Sequence, residues 1–135
     1  MIVVDTCVWS LAFRRQKKVE ILSPEVQALI RLIEQDAPIC MLGIVLQELL
    51  SGLKEETQLM KMQKLVSGFP IILATKKHHV DAAKLSNACR KMGIATSATD
   101  CLIAAITIDL NAQLLTTDQD FVYMQKCCNL DLLRL

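Results

Sequence analysis

Four acidic residues carry the chemical interest of this 135-residue chain. Asp5 closes the β-branched run Ile2-Val3-Val4, and Asp118 follows Leu114-Leu115-Thr116-Thr117. Asp100 opens the most apolar stretch of the sequence, among Ala98, Thr99, Cys101, Leu102 and Ile103. Glu48 interrupts the stripe Val45, Leu46, Leu49, Leu50 and Leu53. Each has a local alternative. Asp5 could cap a following helix, and Asp100 could be a favourable acid at a helix N-terminus. Glu48 could be solvated on the polar side of its stripe, and Asp118 and Asp120 could be turn residues. The constellation makes the stronger case. Two carboxylates about 5 Å apart repel by roughly 3 kcal/mol at an effective dielectric of about 20. If all four converge, protons or cations must offset that repulsion. Oxygen-only donors suit Mg²⁺ or Mn²⁺, and with no His or Cys assigned beside them zinc is disfavoured. Such ions acidify a bound water and screen a phosphodiester.

This chemistry needs no nucleophilic side chain, and none is evident: the chain has neither G-x-S-x-G nor a P-loop. His78 and His79 are adjacent, which places them poorly for acid and base work on opposite sides of a phosphate. They read as a solvated helix start.

The elements that must hold these acids alternate. Ile2-Val3-Val4 is a buried strand, and Thr6–Phe13 a short helix. Ser23-Pro24-Glu25 starts a helix by capping hydroxyl, first-turn proline and dipole-matched acid. Val26, Leu29, Ile30 and Ile33 form its apolar face, and Ala37-Pro38 ends it. Ile39–Leu42 is a second strand, followed by the helix bearing Glu48, which closes near Gly52. A helix over Glu55–Val66, a strand over Pro70–Leu73 and a helix over Val80–Met92 stopped by Gly93 come next. Asp100–Leu110 should be a buried helix, Gln113–Thr116 a strand, Phe121–Lys126 a short helix and Leu130–Leu135 a last strand. Strands that alternate with helices, and that are continuous apolar runs, predict an α/β fold with a parallel sheet covered on both faces. Ligands in such sheets bind beyond the carboxyl ends of the strands. Asp5 and Asp118 fall at that edge.

Composition bounds the rest. Hydrophobic residues make up 53% and charged residues 21%, which excludes disorder as the dominant state. Length suits a single domain over residues 1–135. Fifteen Lys and Arg against fourteen Asp and Glu leave a net charge of +1, more balanced than is usual for a polybasic nucleic-acid arm or a membrane-surface protein, although a local basic patch is enough to bind phosphate. The longest uncharged runs, Ala37–Gln47 and Leu65–Thr75, have eleven residues each, well short of the roughly 20 a membrane span needs. The opening residues do not read as a signal peptide. Six cysteines without a C-x-x-C read as reduced, mostly buried thiols of a cytoplasmic protein.

The order and spacing of Ile2-Val3-Val4-Asp5-Thr6, Glu48-Leu49, Ala98-Thr99-Asp100-Cys101-Leu102-Ile103-Ala104-Ala105 and Leu114-Leu115-Thr116-Thr117-Asp118-Gln119-Asp120-Phe121 resemble the PIN-domain nucleases. Length and layout resemble most the VapC-type toxins of bacterial toxin–antitoxin pairs. The resemblance covers essentially the whole chain. It implies a three-layer α/β/α fold with a parallel five-stranded sheet in order 3-2-1-4-5. It implies Mg²⁺- or Mn²⁺-dependent endonucleolytic cleavage of RNA. Asp5 and Asp100 would then be the principal metal ligands, with Glu48 and Asp118 completing the quartet directly or through water. Asp120 would substitute for or assist Asp118, and Thr6 would orient Asp5 or cap its helix. The resemblance further implies a homodimer and an antitoxin protein whose tail enters the acidic groove. A mean hydropathy of +0.37 fits surfaces that need a cover, with the helices at Ser23–Glu34 and Glu55–Val66 as candidates. The basic loop Arg14–Lys18 could steer RNA phosphates.

Two other readings compete. Of the other Mg²⁺-dependent α/β modules, an Asp-nucleophile phosphatase would want a second acid two residues after Asp5, where Cys7 stands, and a phosphoacceptor receiver would want an acid pair near the N-terminus and a late strand-end lysine, neither of which is evident. A non-catalytic binding module would keep the fold and lose an acid, and no loss is visible.

Overall fold

A computed structural model describes residues 1–13 and 22–135. The basic loop Arg14–Lys18 lies outside the described residues. The elements run β1 (Ile2–Val4), α1 (Thr6–Phe13), α2 (Pro24–Glu34), β2 (Ile39–Leu42), α3 (Gly43–Ser51), α4 (Glu56–Val66), β3 (Ile71–Ile72), α5 (Lys76–Lys91), α6 (Ala98–Asp109), β4 (Gln113–Leu115), α7 (Gln119–Met124) and β5 (Asp131–Leu132). The five strands form one parallel sheet in the order β3-β2-β1-β4-β5, as expected. Helices flank it in an α/β/α arrangement.

β1 is central and buried throughout. Its register sets Ile2 against Ile39 on one side and against Gln113 on the other, with Val4 beside Leu115. The Asp5 N–H donates to the Leu115 carbonyl at 2.9 Å, extending the pairing by one residue. The ends of β1 and β4 are therefore level, and the side chains that follow them share one edge. The core around the sheet is aliphatic, with Trp9 and Phe121 as its buried aromatic members. Trp9 stacks on Phe13 at 5.8 Å and meets Phe69 edge-on at 5.1 Å.

Local signals set most element ends. Ser23 caps α2 by accepting from the Val26 N–H at 3.2 Å, with Pro24 in the first turn. Ser97 caps α6 by accepting from the Asp100 N–H at 3.0 Å. Gly93 takes φ +73° just past α5, a left-handed stop that favours glycine.

Three expectations need correction. α5 starts at Lys76, four residues before Val80, because Thr75 and His78 form a reciprocal capping box. His78 is accordingly buried rather than solvated. Its Nδ1 accepts the Thr75 N–H at 2.9 Å, which puts the ring proton on Nε2, 2.8 Å from an Asp109 carboxylate oxygen. The outer strands are also shorter than their apolar runs: β3 keeps Ile71–Ile72 of Pro70–Leu73, and β5 keeps Asp131–Leu132 of Leu130–Leu135. Finally, Ile33 lies outside the buried face of α2 and is 46% exposed, while Val26 and Leu29 are buried.

Candidate metal centre

The carboxyl edge of the sheet gathers four acids from three separate segments. Asp5 ends β1, Asp118 caps α7 just beyond β4, Asp120 sits in the first turn of α7, and Asp100 in the first turn of α6. One carboxylate oxygen from each of Asp100, Asp118 and Asp120 lies within 4.8 Å of the other two. These donors are all hard oxygens, the set that suits Mg²⁺ or Mn²⁺ and not a thiophilic ion.

Asp5 stands beside this trio and is 6% exposed. A carboxylate that deep needs hydrogen bonds to offset its lost hydration. Its Oδ1 accepts the Thr6 N–H at 2.8 Å. Its Oδ2 accepts the Thr116 hydroxyl at 2.8 Å and the Cys7 thiol at 3.3 Å. Burial, and then the Asp5 charge, push the Cys7 thiol above its ordinary range.

Asp100 shows the strain of the arrangement most directly. Its pKa is pushed up to about 6, by burial first and then by the charges of Asp118, Asp5 and Asp120, against the lowering bond from Ser97. Its first-turn position is favourable for a negative charge, yet burial first, and the neighbouring carboxylates after it, outweigh that advantage. A divalent cation would reverse that balance.

Glu48 does not join the trio. It is exposed on α3, and the Thr6 hydroxyl donates to its Oε1 at 2.8 Å. Thr6 thus holds Asp5 through its backbone and Glu48 through its side chain. Glu48 also lines a groove of about 770 Å³ between α1, α3 and α4, with Ser10, Phe13, Leu53, Lys61 and Leu65 among its walls.

Sequence reasoning left the choice between Asp118 and Asp120 open, and both converge on Asp100. Asp118 also does the turn work expected of it, its Oδ1 accepting the Asp120 N–H at 2.9 Å. The missed residue is Thr116. Its hydroxyl donates to Asp5 and accepts the Asp118 N–H at 3.0 Å, bridging the ends of β1 and β4. A hydroxyl two residues before an acid at a strand end was the available signal.

The pattern of the PIN domain matches residues 2–126. This chain belongs to the PIN-domain family. Within it, the relatives are of the VapC type. A VapC ribonuclease of Mycobacterium bovis and ribonuclease VapC11 of Mycobacterium tuberculosis are each 32% identical over 132 residues, covering 96% of both chains. Among solved structures, FitAcB from Neisseria gonorrhoeae superposes with a TM-score of 0.77 at 19% identity, covering 99% of this chain and 97% of that one. VapBC2 from Rickettsia felis, bound to a DNA fragment from its promoter, gives 0.76 at 24% identity, covering 98% and 97%. These likenesses bear out the PIN fold of the chain, and the acidic edge falls within the matched residues.

Proposed function

We propose that this PIN domain is a metal-dependent endoribonuclease acting as the toxin of a toxin–antitoxin pair. The observation that carries the reading is the meeting of Asp100, Asp118 and Asp120 within 4.8 Å beside buried Asp5. The relatives named as VapC ribonucleases support the substrate class.

Asp5, Asp100 and Asp118, with Asp120, would hold Mg²⁺ or Mn²⁺, and Glu48 would act through water from the α3 side. The bound ion supplies an acidified water and charge screening for the phosphodiester. The chain's own residues do the positioning. Thr116 fixes the Asp5 carboxylate against the start of the Asp118 turn, and Ser97 fixes the first turn that presents Asp100. Thr6 holds Glu48 toward the same edge.

The groove that Glu48 lines has a largely apolar wall with Lys61 as its one basic member among the described residues, and Met60 and Leu65 on α4 are 60% and 53% exposed. In this reading an antitoxin segment covers that surface, and a second copy of the chain completes a homodimer. The six free thiols suit a reducing, cytoplasmic setting. The whole of residues 1–135 acts as one nuclease domain.

The test is cleavage of a mixed RNA pool by purified, partner-free protein in Mg²⁺, Mn²⁺ or EDTA, beside Asp5→Asn and Asp100→Asn. Cuts that need metal and vanish in both variants support the proposal. A folded, metal-loaded protein that leaves every RNA intact would sink it and favour a binding module.

A further inference from the structure

Asp120, Tyr123 and Lys126 follow one another at intervals of three residues along α7 and the turn that ends it. Phe121 and Met124 make the buried face of this helix, and the row of three stands on its exposed side. Residues three apart on a helix are neighbours, with Cβ atoms about 5–6 Å apart. The Tyr123 ring therefore stands one turn from the carboxylate that Asp120 brings to Asp100 and Asp118. Past Tyr123 the winding tightens. The Lys126 N–H donates to the Tyr123 carbonyl at 3.1 Å, and the Cys127 N–H to the Met124 carbonyl at 2.9 Å. Bonds of this short span set side chains three apart nearly in line. The Lys126 ammonium accordingly lies over the Tyr123 ring, 5.9 Å from its centroid.

Tyr123 stands apart from the other aromatic residues. Trp9 and Phe121 are fully buried, and Phe13 and Phe69 pack on the core and against Trp9. Tyr123 is 50% exposed even with the ammonium over it. Lys126 is exposed too, and among the described residues no carboxylate pairs with it. An exposed cation–π contact is weakly held, so ring and ammonium are both open to a ligand.

We propose that Tyr123 and Lys126 hold one nucleotide of single-stranded RNA beside the scissile phosphate, its base stacked on the Tyr123 ring and its phosphate on the Lys126 ammonium. The inference rests on the nuclease reading above and adds a substrate contact to it. A single ring one turn from the acidic trio seats one base and not a run of bases. Every base has a π-face, so the contact supplies affinity and register more than sequence choice. It also requires an unpaired base, because a base inside a duplex is covered on both faces by its neighbours. The acidic edge repels phosphate wherever cations do not screen it, and Lys126 sets a positive charge at its margin.

The experiment takes a single-stranded oligoribonucleotide spanning a cut found in the mixed pool. Each base flanking the cut is replaced, in turn, by an abasic ribose. With the parent protein in Mn²⁺, removal of one flanking base should raise KM about 10-fold, within the range that a stacked base contributes. Tyr123→Ala should raise KM for the unmodified oligonucleotide by the same factor, with the loss in KM and not in kcat. The abasic change at that position should then add almost nothing. Tyr123→Phe should restore the parent KM. Lys126→Gln should lower the slope of log KM against log salt by about 0.7. The abasic profile of the parent stands whether or not the variants fold. A parent profile with no sensitive flanking base, or the same profile in Tyr123→Ala, would overturn the contact and leave the nuclease reading intact. No metal-dependent cut in any RNA would overturn both. Parent KM in Tyr123→Ala, with an altered mass in size-exclusion chromatography, would place the ring in a protein interface instead.

Discussion

The Thr116 hydroxyl has one hydrogen and spends it on Asp5, while its lone pair takes the Asp118 N–H. Losing it would free the Asp5 carboxylate to rotate and loosen the turn that aims Asp118. Partners of this kind typically matter by about 10–100-fold in metal affinity or activity. Thr116→Val is therefore expected to slow RNA cleavage by that factor and to raise the Mn²⁺ concentration needed for half-maximal rate, with Thr116→Ser restoring most of both. Equal rates and equal Mn²⁺ midpoints in the valine variant would remove the role. Asp100 gives a second prediction at this scale, for protein kept in EDTA. Its pKa of about 6 in the fold lies above the ordinary 3.8, so the folded chain binds the proton more tightly than the unfolded one. The charged form costs stability above pH 6, and the cost fades as pH falls toward the ordinary value. Asp100→Asn lacks that charge at every pH. Melting curves should show it more stable than the parent at pH 7, by about 1 kcal/mol after solvent screening of this half-exposed group. The gap should close by about pH 4. A gap that widens on acidification would reverse the assigned sign.

At the scale of elements, His78 decides where α5 begins. Thr75 caps the helix, and His78 returns an acceptor to the Thr75 N–H while its other nitrogen meets Asp109 at the end of α6. That bond, and then Lys77, hold the Asp109 carboxyl below its usual range. His78→Ala should lower stability by about 1–2 kcal/mol through the lost cap and the hole left behind. Glutamine at a capping-box N3 supplies the same acceptor, so His78→Gln should recover the cap component in chemical denaturation. No recovery would place the whole effect in packing. The same helix shows where sequence reasoning runs out. β1, α1 and β2 were legible residue for residue, because unbroken apolar runs and a strand-end acid define them. Lys76–His79 carries no apolar period, so α5 seemed to begin at Val80; the contact that buries His78 comes from Asp109, 31 residues away. Edge strands β3 and β5 misled in the other direction, since an apolar run sets hydrophobicity and not the length over which a neighbour pairs.

Across the whole molecule, the acidic edge is assembled from segments nearly the full length of the chain apart, from Asp5 to Asp120. Their convergence was legible as a constellation, because strand ends and helix starts share one edge in a parallel α/β sheet. The bridging of that edge by Thr116 was not, since it depends on the level register of β1 and β4. A site built this way exists only when the sheet is complete, so cation binding must be linked to global folding. At a free cation concentration about 100-fold above Kd, binding adds about 2.7 kcal/mol to stability. For a chain of this size that is a Tm rise of several degrees. The residue-scale prediction then yields a crossover. In EDTA at pH 7, Asp100→Asn should melt above the parent, because it lacks the repelled charge. In Mn²⁺ the order should invert, because the parent gains the binding energy and the variant has lost a ligand. Melting both proteins in both buffers checks it in four curves. If Mn²⁺ raises the two Tm values equally, the cation binds elsewhere; if it raises neither, the carboxylates keep their repulsion and the acidic edge is not a metal centre.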